Sequence, residues 1–92
     1  MTVHVWKYDV LPGEFTVEMP LYSKPLTVDM QDGQPRMWAL VDDYLPLTEF
    51  RFTCVGTGHA IEGVSIINRD GYVGTFKLEP GLVFHLFERE VR

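Results

Sequence analysis

The sequence predicts an all-β domain: a small sandwich or barrel of about seven or eight short antiparallel strands built from hairpins. Three observations carry this expectation. Val, Ile, Thr and the aromatic residues together supply 33 of the 92 residues, and such side chains fit a pleated, half-buried surface. Alanine, the strongest helix former, occurs only at Ala39 and Ala60. Eight glycines and six prolines interrupt the chain at short intervals, which breaks helices and serves turns.

Thr2 to Val10 reads as the first strand. Thr2, His4, Trp6, Tyr8 and Val10 form one face, expected to point to the core, and Val3, Val5, Lys7 and Asp9 form the other. Leu11-Pro12-Gly13 is a turn, because proline presets φ and glycine supplies a positive one. Glu14 to Met19 alternates without fault, with Phe15, Val17 and Met19 inward. Pro20 and Pro25 bracket a connector that carries Tyr22 and Lys24. Leu26 to Gln31 alternates again through Leu26, Val28 and Met30. Asp32-Gly33 then marks a hairpin, since both central positions of a type I′ turn need positive φ. The return strand runs from Met37 to Asp42, with Trp38 and Leu40 opposite to Met37, Ala39 and Val41.

Asp42 ends that strand and caps the loop through Leu47. Glu49 to Val55 follows, with Phe50, Phe52 and Cys54 on its core face and Arg51 on its polar face. It runs into the glycine-rich segment Gly56-Thr57-Gly58-His59. Ile61 to Ile67 reads as a short strand or an irregular crossing, and Asn68 to Gly71 as a turn. Tyr72 to Leu78 and Leu82 to Glu88 are the last strands, joined by the turn Glu79-Pro80-Gly81. In the segment Leu82 to Phe87 only His85 is polar. Both faces of that strand therefore want cover, from a central position in the sheet or from a second subunit. A homo-oligomer, a dimer or higher, is expected on this ground.

At 92 residues the chain makes one domain, residues 1–92. Its 46% apolar and 23% charged content is that of a globular protein, not a disordered one. No apolar run approaches the ~20 residues of a membrane helix, and no basic start precedes an apolar stretch as in a signal peptide. A single cysteine, Cys54, makes no internal disulfide and fits a reducing compartment. The net charge of −5 argues against general nucleic-acid binding, which needs a basic face.

Gly56-Thr57-Gly58-His59 is the most informative local feature. Successive backbone N–H groups in such a turn converge on an anion, and Thr57 and His59 add side-chain donors. It is neither a Walker loop nor a dinucleotide fingerprint, and the plainer reading is a tight connection that needs glycine twice. Arg51 is the nearest cation in sequence, and Trp38 or Tyr72 would supply a stacking face. The candidate ligand site is therefore Arg51, Gly56, Thr57, Gly58, His59, Trp38 and Tyr72. The plainer reading makes Trp6 and Trp38 core residues and Arg51 a solvated one.

His4, His59 and His85 match no metal-ligand spacing, so no metal or cofactor is expected. His85, in an apolar strand, reads as a core histidine with one partner. A Cys54–His pair would be a nucleophile and base, but Cys54 shares the core face with Phe50 and Phe52, where a thiol is inert. The expectation is a protein that is not an enzyme.

Trp6-Lys7, Met37 to Asp42, Gly56 to His59, Tyr72 to Phe76 and Val83 to Glu88 together resemble a family of small proteins from tailed bacteriophages and prophages. Where that family reads Gly-His-Pro, this chain has Gly58-His59-Ala60. The resemblance brings no activity, cofactor or site with it. It implies an accessory factor in the host cytoplasm, a counter-defence protein that sequesters a host component. A small anionic, nucleotide-type signal is favoured as that component. A host protein, a minor virion or assembly role, and a nucleotide-cleaving enzyme follow as alternatives in that order.

Overall fold

The computed structural model describes residues 2–61 and 67–89. Among the described residues, seven strands form an all-β sandwich: β1 (Val3–Asp9), β2 (Gly13–Pro20), β3 (Lys24–Gln31), β4 (Gln34–Asp42), β5 (Leu47–Gly56), β6 (Ile67–Glu79) and β7 (Leu82–Arg89). One sheet has the order β1-β4-β3, the other β2-β5-β7-β6, and every pairing is antiparallel. No helix occurs among the described residues, so none is there to cross a membrane.

The Asp32-Gly33 hairpin forms as its composition requires. Gln31 pairs with Gln34, and Asp32 and Gly33 take φ of 53° and 78°. β6 and β7 make the second hairpin. Pro80 presets its own φ and Gly81 takes φ 87°, the requirement of a type II turn. These are the only two sequence-adjacent strand pairs among the described residues, so the domain is not built from hairpins throughout. The turn expected at Leu11 to Gly13, where Gly13 takes φ 74°, instead carries the chain from one sheet to the other. Asp42 caps its loop as expected, its carboxylate accepting the Tyr44 N–H at 3.1 Å.

The core lies between the sheets. Phe15, Met19, Phe50, Phe52, Cys54, Phe76 and Leu86 from the larger sheet meet Val28, Met37, Ala39 and Val41 from the smaller. Phe15 stacks on Phe52 at a centroid distance of 5.4 Å. The sheets converge at their β3 and β6 margins, where a Cβ on Gly74 would lie 3.0 Å from Val28 Cγ1. Glycine is what lets these margins close.

Four expectations are corrected. The Asn68 to Gly71 turn does not reverse the chain. β6 runs through it, and the four residues between Ile67 and Tyr72 are set against one on β7, so turn-forming residues build an irregular bulge. Leu26 is 44% exposed because a bulge between Pro25 and Thr27 breaks the alternation. Trp6 shares the face of Ala39, its pairing partner, yet stays 39% exposed because β1 is an edge strand. Trp38 is half-buried on the outer face, opposite to Met37 and Ala39. Neither tryptophan belongs to the core. Most of the segment 61–67 lies outside the described residues.

Candidate functional site

The Gly56–His59 turn leaves β5 at one end of the larger sheet, beside the start of β7. Its two glycines serve different purposes. Gly58 takes φ 86°, which glycine reaches without strain. Gly56 makes room: a Cβ there would lie 3.2 Å from His59 Nδ1 and 3.6 Å from Phe84. The imidazole of His59 thus folds back over Gly56, and Phe84 also lies beside that glycine. Two backbone donors of the turn are used within the fold, Thr57 N–H to the Val83 carbonyl and His59 N–H to the Gly56 carbonyl, both at 3.1 Å. Side chains, more than a backbone nest, are therefore what the turn offers a ligand.

Phe84 is the common wall of three clefts at this end. One of about 420 Å³ is lined by Gly13, Cys54, Gly56, His59 and Phe84, among others. A second of about 380 Å³ lies between Thr57, His59, Gly81, Val83 and Phe84. A third of about 310 Å³ opens at the mouth of the sandwich between Val10, Pro35, Phe76, Leu78 and Phe84. All are mainly apolar and of a size that suits a small ligand.

On the outer face of the same sheet a polar cluster forms around His85. Its Nε2 lies 2.6 Å from Thr57 Oγ1, and its Nδ1 lies 3.1 Å from Thr75 Oγ1 and 3.3 Å from the Tyr72 hydroxyl. Tyr72 and Thr75 are also hydrogen-bonded to each other. Thr57 Oγ1 has the Val83 carbonyl at 3.4 Å as an acceptor. The imidazole thus bridges Thr57 on one side to Thr75 and Tyr72 on the other. Strand register sets all of this, since Thr75 pairs with His85 and Val55 pairs with His85 from the other side. Lys77, paired with Val83, falls on this same face.

Of the seven candidate residues, the fold brings Gly56, Thr57, Gly58, His59 and Tyr72 to one end, with His85 as the link between Thr57 and Tyr72. It does not bring Arg51 or Trp38. Arg51 lies on the exposed face of β5, about 16 Å along the strand from Gly56 by the rise of a β-strand. It lines none of the three clefts. Trp38 belongs to the other sheet and faces away from this one. The sequence reading missed Phe84 and His85. His85 has several polar partners, not one, and alternation against Leu86 was the available signal for its outward direction.

Cys54 is buried, and burial pushes its thiol up, away from the reactive thiolate. Arg89, also buried, hydrogen-bonds Thr53 and pairs with Glu14 at 3.3 Å. Among the described residues, no three His, Cys, Asp or Glu side chains gather as a metal site would need.

No curated protein and no solved structure matches the chain. A domain family of unknown function, DUF7352, matches residues 1–92. The chain belongs to the DUF7352 family.

Proposed function

We propose that this is a non-enzymatic binding domain that sequesters a small anionic, nucleotide-type ligand. The carrying observation is the convergence of three clefts on Phe84 beside the Gly56–His59 turn. A flat apolar portion of the ligand would lie against Phe84. Its anionic portion would reach the Thr57 hydroxyl and the His59 imidazole, which line the second cleft together with Phe84. This assignment replaces Arg51 and Trp38 in the candidate site. The buried, poorly nucleophilic Cys54 favours binding over covalent chemistry. The resemblance to phage accessory proteins favours a host signal as the ligand and counter-defence in the host cytoplasm as the setting.

A thermal-shift and native-mass screen against a nucleotide panel tests the proposal. A ligand at 100 times its Kd adds ~2.7 kcal/mol of stability, which is easily read as a rise in Tm. The bound nucleotide should be recovered unchanged after heat release, and Thr57→Val with His59→Ala should abolish the shift. Recovery of a cleaved product would make the protein an enzyme, and a panel without any shift would overturn the ligand reading.

A second reading, inhibition of a host protein, is favoured by the opposite end of the sandwich. There Tyr22, Tyr44 and Leu47 are 81%, 75% and 62% exposed. Their loops are tied by a 2.8 Å bond from Leu21 N–H to the Pro46 carbonyl. Exposed aromatics on a fixed loop pair are suited to a protein interface. If this end is the active one, Tyr22→Ser with Tyr44→Ser should remove inhibition while leaving any nucleotide-induced shift intact.

A further inference from the structure

The outer edge of β1 has the form of an interface. Thr2 accepts the Asp43 N–H at 3.2 Å, and the Val10 N–H donates to the Pro35 carbonyl at 3.3 Å. By strand alternation, His4, Trp6 and Tyr8 also direct their backbone groups to β4. Val3, Val5, Lys7 and Asp9 therefore direct theirs the other way, and no described strand pairs with that edge. A regular edge of this kind is a template for strand addition.

Its side chains point the same way. Val3 and Val5 are 50% and 55% exposed on one face, and Trp6 is exposed on the other. Edge strands are usually protected by a charge, a proline or a bulge, and β1 contains neither proline nor bulge. Its one lysine is drawn aside, with Lys7 Nζ donating to Gln31 Oε1 at 2.8 Å.

We propose that a second copy of this chain covers the edge, its β1 antiparallel to the first about a two-fold axis at Trp6. The occupant follows from self-complementarity. In this register Val3 meets Asp9 and Val5 meets Lys7 of the second copy, so every outward N–H and C=O of one edge finds its counterpart. His4 meets Tyr8, and Trp6 meets Trp6, in the non-hydrogen-bonded pairs, where side chains approach most closely. No like charges stand opposite one another. The dimer joins the two three-stranded sheets into one of six strands. The clefts that hold Thr57 and His59 are lined by neither β1 nor β4, so the dimer does not rest on the ligand reading.

Sedimentation and oxidative cross-linking test this register. The wild-type protein should sediment as a dimer. Val5→Lys sets two like-charge pairs against Lys7 and should weaken dimerisation about two- to thirty-fold, while Val5→Glu should tighten it. Val5→Pro removes an outward N–H without touching the β4 ladder, and should yield a folded monomer. Only residue 6 meets its own counterpart, at a Cα separation of about 4.5 Å that a disulfide can span. Trp6→Cys should thus cross-link rapidly, and Val5→Cys should not. A wild-type monomer at high micromolar concentration, or equal cross-linking of the two cysteine variants, would overturn the proposal.

Discussion

Glu88 carries the clearest electrostatic tension at the scale of single residues. It pairs with Phe52 across β5 and β7 and so shares the core-facing side of the sheet. Burial holds its carboxyl above the ordinary carboxylate range, with Lys24 acting in the opposite direction. A carboxyl whose pKa is raised on folding stabilises the fold while protonated, and that contribution is lost as pH rises through the folded value. Above that range Glu88 therefore opposes folding. Glu88→Gln should raise Tm at pH 7.5, and the gain should vanish as pH falls below the unfolded carboxylate range near ~4.3. Thermal melts across that window check it, and a gain independent of pH would refute it. Cys54 illustrates the same physics. Alternation put it on the core face, and the core environment suppresses its thiolate.

Turns and strand margins decide the elements. Asp32-Gly33 was legible because few dipeptides tolerate two positive φ values, and both residues adopt them. Gly33→Ala forces a Cβ into the left-handed region and should cost about 1–2 kcal/mol. Nothing lies within 4 Å of that Cβ, so the loss is conformational and not steric. The urea midpoint should fall with the m-value unchanged. Asn68 to Gly71 has equally good turn chemistry and yet forms a bulge, because Ile67 is held opposite Arg89 across the strand pair. Local propensity names the residues that bend the chain but leaves the angle open. Leu26 taught the same lesson in β3, where one extra residue inverts the phase on which an alternation argument depends.

The whole molecule rests on the closure of two sheets over Phe52, Met19, Met37 and Leu86, which are fully buried. At the β3–β6 margin closure is close enough that a Cβ on Gly74 would lie 3.0 Å from Val28 Cγ1. Gly74→Ala should therefore destabilise the protein by about 1–3 kcal/mol through overpacking against a stiff, β-branched neighbour. Val28→Ala in the same chain should recover part of that loss, giving a non-additive cycle by chemical denaturation. Additive effects would show that the margins do not meet there.

β-branched content, alternation and the Gly and Pro punctuation were enough to specify an all-β chain, most of its strands and the core face of β5. These signals are local: a side chain's direction in a strand depends on its neighbours two residues away, and a turn depends on a φ requirement. Which sheet each strand joins is not a local property. The separation of Trp38 from the Gly56–His59 turn, the half-exposed Trp6 at an edge, and the meeting of Thr57, Tyr72 and His85 all follow from the orders β1-β4-β3 and β2-β5-β7-β6. Those orders depend on which faces bury one another, and only the folded chain brings the faces together.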